Sequence, residues 1–171
     1  MTALNLFIRQ PYTKVEEAEL AIVQSVLDTV MAQNQNPYRI NVLTGHQAYD
    51  QDSYKVAYEQ QSGKPFNPTE FRLTRQAQID NCDAMIIVNT GISEGTSFEV
   101  GYNIFSGKMA PMLFLVKQNN PIQTAFLQEL DEISDATYVS FDHVDKVEAP
   151  IRLFLSHIAG LKSDSAISAV G

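Results

Sequence analysis

Short apolar runs alternate with longer segments of helical periodicity along most of the chain. Every position from 84 to 88 is apolar, which is typical of a strand in a parallel sheet covered on both faces. Over residues 15–32 the apolar positions recur at intervals of three and four, which predicts an amphipathic helix. These criteria predict five strands, at residues 4–8, 40–43, 84–88, 111–116 and 137–141. They predict helices at residues 15–32, 53–61, 68–81, 95–106 and 124–130, and a final helix that ends near residue 158.

Capping residues support two of these helices. Thr13 and Glu16 have the spacing of a capping box. Asn67 followed by Pro68 is the N-cap and N1 arrangement that favours a helix start. Strands that alternate with helices predict a doubly wound, Rossmann-like (flavodoxin-like) α/β fold: a five-stranded, mostly parallel sheet with helices on both faces. We expect one domain over residues 1–162 and a mobile tail over residues 163–171.

Charge and hydropathy restrict the partners. The 171 residues carry 20 acidic and 12 basic side chains, a formal net charge of −8, and the basic residues are scattered. Nucleic-acid binding needs clustered Lys and Arg, so we expect no nucleic-acid polymer as a partner. The first residues lack a signal-peptide pattern, and no window reaches the roughly 20 apolar residues of a membrane helix. The sequence therefore predicts a soluble, cytoplasmic protein with no membrane partner.

The residues that bind metals or form disulfides are few. Cys82 is the single cysteine, which excludes an internal disulfide, and we expect it to be a buried, inert thiol. His46, His143 and His157 are too far apart in sequence for a metal-binding motif. We therefore predict neither a metal nor a cofactor, and keep only His46, in a loop after the second strand, as a candidate proton carrier.

A strand, a polar loop and a helix form the segment most suited to chemistry. In doubly wound sheets, ligands bind where such loops leave the carboxyl ends of the strands. After the strand at 84–88, the loop and the first helical turn contain Ser93, Gly95, Thr96 and Ser97, whose hydroxyl and amide groups suit a phosphate or sugar. Glu99 follows about one turn into the helix. The alternative is a simple helix cap, with a glutamate that interacts with the helix dipole.

This segment resembles the signature of the nucleoside 2-deoxyribosyltransferase superfamily, which includes the 2′-deoxynucleoside 5′-monophosphate N-glycosidases. Asp83 begins the strand, Glu99, Gly101 and Tyr102 match the Glu-Leu-Gly-Tyr-Ala part of the signature, and Gly107 precedes a lysine and another apolar strand. The match covers about residues 75–116. The resemblance implies that Glu99 is a nucleophile toward the anomeric carbon, and that the protein is a homodimer or a larger homo-oligomer. Helix 15–32 is one candidate contact for such an assembly, unless it only covers the sheet.

The chain departs from that signature at three places. Ser93 replaces the usual aspartate of the transferases and is similar to the monophosphate hydrolases, in which a serine contacts the 5′-phosphate. Arg75 occupies the position of an aspartate that assists base departure; Asp80 is one possible substitute, as are Asp50 and Asp52. The glycine-rich first loop is also missing.

Several further side chains are candidates for substrate binding. Arg9, Arg72 and Arg75 could bind a phosphate, although a helix face exposed to solvent is an equal alternative for the last two. Tyr12 and Tyr49 follow the first two strands and could stack on a base, although tyrosines in loops more often pack against their surroundings.

The leading hypothesis is an enzyme that cleaves or transfers the N-glycosidic bond of a nucleoside or, preferably, a nucleoside 5′-monophosphate. Its candidate residues are Glu99 as the nucleophile, with Ser93, Gly95, Thr96, Ser97, Arg9, Tyr12 and Arg75 in substrate binding. Arg75 also resembles the arginine that lonely-guy-type phosphoribohydrolases pair with a Gly-Thr-x-x-Glu motif. A non-catalytic nucleotide-binding or signalling domain and a flavodoxin-like flavin site would suit the same architecture.

Overall fold

The computed structural model describes residues 2–9, 17–35, 37–44, 51–89 and 94–168. Its five strands are β1 (Thr2–Arg9), β2 (Tyr38–Val42), β3 (Ala84–Asn89), β4 (Met112–Lys117) and β5 (Ala136–Phe141). Its α-helices are α1 (Glu17–Ala32), α2 (Gln51–Ser62), α3 (Pro68–Asn81), α4 (Glu94–Phe105) and α5 (Glu148–Ser168). Short 3₁₀ turns lie at Ala125–Leu127, Leu130–Glu132 and Val144–Val147.

The strands form one sheet in the order β2-β1-β3-β4-β5, and every pair is parallel. The predicted doubly wound α/β fold is confirmed, and the described sheet is entirely parallel rather than mostly parallel. After β2 the chain returns across β1 to form β3, so the strand order reverses between β1 and β3. A ligand is expected at the carboxyl ends of these two strands.

Alternating side chains of the strands divide the core into two layers. On β1, Leu4, Leu6 and Ile8 belong to the layer shared with α1 and α5, while Phe7 belongs to the layer on the α3 and α4 side. This alternation follows from the two-residue period of a strand. Arg9 is two positions after Phe7 in β1, so its side chain leaves the sheet on the same face, toward α3 and α4.

Helix α1 covers the first of these layers. The buried residues of α1 recur at helical spacing and pack in the core: Val23, Val26, Leu27 and Val30. The face that the sequence offered as one candidate oligomer contact is thus used to cover the sheet. Among the described residues, no helix combines the length and the apolar character needed to cross a membrane.

Side-chain hydrogen bonds fix the start of α3 and the connection that follows α4. Asn67 caps α3, because its side-chain oxygen accepts from the amides of Thr69 and Glu70. After α4, the buried Asn103 amide donates to the Ala110 carbonyl oxygen and accepts from the Ala110 amide, which fixes the approach to β4. The predicted capping box at Thr13 and Glu16 lies outside the described residues.

Two predicted helices differ from the structure. The segment predicted as a helix at residues 124–130 forms two 3₁₀ turns instead, and Tyr138 connects them by donating to the Leu127 carbonyl and accepting from the Leu130 amide. Helix α5 continues to Ser168, ten residues beyond the predicted end near 158. Lys162 provides one reason, since it donates to the Ala3 carbonyl and to Asp83. Mobility of the tail stays a prediction.

Candidate active site

A buried ion-pair cluster lies at the switch point between β1 and β3. Glu99 of α4 is 4% exposed, Arg9 at the end of β1 is 6% exposed, and Arg75 of α3 is 2% exposed. Arg75 Nε donates to Glu99 Oε1 at 2.7 Å, and Arg9 Nε lies 2.9 Å from Glu99 Oε2. Two guanidinium charges therefore compensate the buried carboxylate. Together the three side chains carry a formal charge of +1.

Thr96 and Gly95 position Arg9. The Nε–H of Arg9 donates to Thr96 Oγ1 at 3.3 Å, so it is not directed at Glu99 Oε2 although that oxygen is close. A Cβ atom at Gly95 would lie only 2.6 Å from Arg9 Nη2. Gly95 therefore allows the guanidinium to approach the first turn of α4 closely. Thr96 is buried, and its hydroxyl binds a protein side chain in this structure.

Besides its ion pair with Glu99, Arg75 has two further contacts. Its guanidinium carbon lies 4.3 Å from the centre of the Phe7 ring, a distance typical of a cation–π contact. Its Nη1 lies 3.4 Å from Gln78 Oε1, and Gln78 in turn donates to the Leu43 carbonyl at 2.8 Å. Sequence reasoning missed Phe7 and Gln78. The signals available were the parity of Phe7 with Arg9 and the three-residue spacing of Gln78 from Arg75.

Two polar atoms of the cluster have no hydrogen-bond partner within the described part of the chain. These atoms are Arg75 Nη2 and Glu99 Oε2, both inaccessible to solvent. Unsatisfied buried groups are rare because each costs free energy, and a catalytic role or a bound ligand is one of the explanations for them. Arg75 Nη2 and Glu99 Oε2 therefore each have an unused hydrogen-bonding position, although Oε2 is ion-paired with Arg9.

The structure describes only some of the other predicted residues. Ser97 of α4 is half-buried. Arg72 is exposed and bonds to Thr69 of its own helix, so it does not join Arg75. Ser93, Tyr12, Tyr49, His46 and Asp50 lie outside the described residues.

Asp80 is one of the carboxylates considered as the acid that assists base departure, and its hydrogen bond is with a residue outside the ion-pair cluster. It is exposed and accepts from the Tyr102 hydroxyl at 3.1 Å. Desolvation, together with that hydrogen bond, raises the pKa of Tyr102. Asp52 lies in α2. Within the described ranges, no three His, Cys, Asp or Glu side chains come together as a metal ion would require.

Asp83 and Cys82, which immediately precede β3, have surroundings that suit structural roles. Asp83 accepts from the Asn5 amide and from Lys162, so it connects the start of β3 to β1 and α5. Burial raises the pKa of the Cys82 thiol to about 12, which keeps it protonated and unreactive.

Comparison with known proteins identifies related folds. No family model matches the chain, and no curated protein matches it significantly. The structure of Clostridium botulinum CMP N-glycosidase, BcmB, superposes with a TM-score of 0.58 at 13% identity, over 87% of this chain and 98% of that chain. The solution structure of BlsM gives 0.61 at 17% identity, over 86% of each chain. A conserved protein from Enterococcus faecalis V583 gives 0.54 at 13% identity, over 89% of this chain and 99% of that chain.

These identities are low, so the likeness is one of fold. The resemblance that the motif around Glu99 predicted is confirmed at that level: the chain has the same fold as a CMP N-glycosidase.

Proposed function

We propose that this protein is an enzyme that cleaves or transfers the N-glycosidic bond of a nucleoside or, preferably, a nucleoside 5′-monophosphate, with Glu99 as the nucleophile. One observation carries the proposal: a carboxylate is buried at the switch point of the sheet, is held by two arginines, and keeps one oxygen without a hydrogen bond from the described residues. An oxygen that no hydrogen-bond donor engages keeps the lone pair that an attack on carbon requires. The fold shared with a CMP N-glycosidase supports the same class of reaction.

The chemical step follows from that arrangement. Glu99 Oε2 attacks C1′ of the sugar, and the C1′–N bond breaks with its electron pair going to the base, which takes a proton from water. The glycosyl ester formed on Glu99 is then cleaved by a water molecule, or by a second base in a transfer. Arg75 holds Oε1 throughout and limits rotation of the carboxylate. Since an arginine stays protonated, it does not serve as the acid for base departure.

Phosphate binding is assigned to the N-terminal end of α4. Arg9 lies against Gly95 there, and Ser97 is half-buried in the same helical turn. Helix N-termini and arginines both favour phosphate. In this proposal Ser93 also contacts the phosphate, and Tyr12 stacks on the base. Arg9 supplies the charge that a chain of net −8 otherwise lacks.

The direct test is incubation with a panel of nucleosides and nucleoside 5′-monophosphates, followed by chromatography for free base. We expect base release by the unmodified protein and a loss of at least about a thousandfold in Glu99→Gln, because the amide is a poor nucleophile. Equilibrium binding of the nucleotide should persist in that variant. Glu132→Gln, at an exposed glutamate, is the matched control and should retain full activity.

Removing the buried charge from Glu99 leaves two arginines without their anion, so stability must be followed in parallel. Glu99→Asp retains the charge and withdraws the carboxylate by one methylene group, and we expect it to fold with greatly reduced activity. If the unmodified protein binds nucleotides but releases no base from any of them, the enzyme proposal is wrong and a binding or signalling domain is favoured.

The contact between Arg75 and Glu99 favours a second candidate, a phosphoribohydrolase of the lonely-guy type. Its predicted arginine–glutamate pair is present as a 2.7 Å ion pair. The panel separates this candidate from a nucleoside transferase: a phosphoribohydrolase releases base only from phosphorylated substrates, whereas a transferase also exchanges the base of a free nucleoside when a second base is added.

A further inference from the structure

The free donor of Arg75 needs an acceptor that the described part of the chain does not supply. Arg75 Nε donates to Glu99, Nη1 lies at Gln78, and the guanidinium plane rests on Phe7, yet Nη2 is buried without a partner among the described residues. Three of its sides are thus occupied by protein. The remaining donor is thus held in place beside Glu99 with its hydrogen-bonding capacity unused.

The position of that acceptor follows from the proposed function, on which this inference rests. The same guanidinium binds one oxygen of the attacking carboxylate through Nε. Because adjacent nitrogens of a guanidinium are close together and rigidly connected, an acceptor for Nη2 lies close to the Glu99 carboxylate, and in the proposed reaction the sugar carbon that Glu99 attacks is beside that carboxylate. It is therefore a group attached to C1′ or to the carbon next to it.

Three groups are attached to these carbons: the ring oxygen, the base and the 2′-hydroxyl. Chemistry eliminates the first two as the acceptor for Arg75 Nη2. The ring oxygen gains positive charge in the oxocarbenium-like transition state, so a guanidinium donor beside it would oppose the reaction. The base leaves on the face opposite to the nucleophile, because the displacement at C1′ is in line. The 2′-hydroxyl of a β-ribonucleoside remains, and it lies on the same face of the sugar as the attacking carboxylate.

We propose that Arg75 Nη2 donates a hydrogen bond to the 2′-hydroxyl of the substrate, so that the enzyme selects ribonucleosides or ribonucleotides over their 2′-deoxy counterparts. The hydroxyl keeps its own hydrogen, which can be donated to the Glu99 carboxylate. A hydroxyl group therefore suits the free donor and the neighbouring carboxylate together, whereas a hydrogen at the 2′ position leaves the guanidinium unsatisfied.

The test compares three matched substrates with the same base and phosphate: the ribonucleotide, the 2′-deoxyribonucleotide and the arabinonucleotide, whose 2′-hydroxyl lies on the opposite face. We expect kcat/KM for the ribonucleotide to exceed that for the other two by about tenfold to a hundredfold. This order is informative because 2′-deoxyribosyl bonds are intrinsically the easier to break. Equal rates, or a preference for the deoxy substrate, would overturn the inference.

Variants of Arg75 test whether this residue causes the preference for ribose over 2′-deoxyribose. Arg75→Met should reduce the ratio of ribo to deoxy kcat/KM to below one, the order of the intrinsic reactivities, and Arg75→Lys, which retains the charge but not the planar fork, should reduce it in part. Arg152→Met, at an exposed arginine of α5, is the control and should leave the ratio unchanged. A ratio that stays high in a folded Arg75 variant means that another residue reads the sugar.

Product binding provides a measurement that does not depend on the rate. Calorimetry on the unmodified protein should give tighter binding of ribose 5-phosphate than of 2-deoxyribose 5-phosphate, again by about tenfold or more. The two proposals fail differently. If no substrate releases base, the proposed function is wrong and the inference falls with it. If base is released from deoxy and ribo substrates alike, only the inference is wrong.

Discussion

At the scale of single residues, Gly95 determines whether Arg9 can reach the site. A Cβ at this position would lie 2.6 Å from Arg9 Nη2, so Gly95→Ala must displace a guanidinium that is otherwise buried beside Glu99. We expect a fall of about tenfold or more in kcat/KM, since small misplacements of catalytic groups have large effects on rate. Steady-state kinetics with a nucleoside 5′-monophosphate measures this.

Gly101 provides the matched control in the same helix. A Cβ there meets only Phe105 Cδ2, at 4.0 Å, which is ordinary contact. Gly101→Ala should therefore retain activity and raise the free energy of unfolding by about 0.5–1 kcal/mol through helix propensity. Equal activity in the two alanine variants would contradict the role given to Gly95.

The residues of the site also illustrate what a local pattern predicts. The family signature that contains Gly-Thr-x-x-Glu predicted a role for Glu99 without reference to the rest of the chain. Thr96 was predicted to hold a ligand, and in the structure its hydroxyl accepts from Arg9, so ligand binding by Thr96 stays a prediction. A hydroxyl suits either partner, so the residue type alone does not distinguish them.

At the scale of the elements, the start of α3 supports the position of Arg75. The Asn67 side chain accepts from two amides at this helix terminus, and Pro68 needs no partner for its nitrogen. Asn67→Ala should lower the free energy of unfolding by about 1 kcal/mol, measured by urea denaturation, while Asn67→Ser should retain most of it. Equal destabilisation by alanine and serine would mean that the cap contributes little.

Elements with strong local signals were predicted well, and those that depend on distant contacts were not. The apolar runs and the cap at Asn67 placed β3 and α3 to within a residue or two. The end of α5 was placed too early, because Lys162 bonds to Ala3 and Asp83, far away in sequence. Similarly, Tyr138 joins two 3₁₀ turns in a segment where periodicity alone predicted one helix.

At the scale of the whole molecule, Asp83 and Lys162 connect three elements at the end of the sheet opposite to the site. Asp83 accepts from the Asn5 amide at 2.7 Å and from Lys162 Nζ at 2.7 Å. Asp83→Ala leaves a partly buried amide without its acceptor, and we expect a loss of about 1–3 kcal/mol in the free energy of unfolding. Base release should be unchanged at temperatures where the variant is folded.

A double-mutant cycle tests this connection. Lys162→Met removes the same ion pair from the other side, so its effect and that of Asp83→Ala should not add, and a coupling of about 0.5 kcal/mol or more is expected. Additive effects would contradict the proposed link between α5 and β3.

The distribution of charge is also a property of the whole molecule. The chain has a net charge of −8, yet the described side chains at the switch point carry two positive charges and one negative charge. The overall acidity makes a nucleic-acid surface an unfavourable expectation, while the local excess of positive charge favours an anionic small molecule. A negative net charge and a locally positive site are compatible because two arginines, Arg9 and Arg75, are buried together at Glu99.

The sequence by itself determined the fold class and the main elements, because hydrophobic periodicity and helix caps act over a few residues. Its resemblance to a known family, not a local physical signal, predicted Glu99 as the nucleophile. Only the tertiary structure decided that Arg9 and Arg75 meet at Glu99. Arg9 reaches the site because β1 lies beside β3 and directs odd positions toward α3 and α4. Strand order and facing depend on packing across the whole sheet, and no local pattern contains that information.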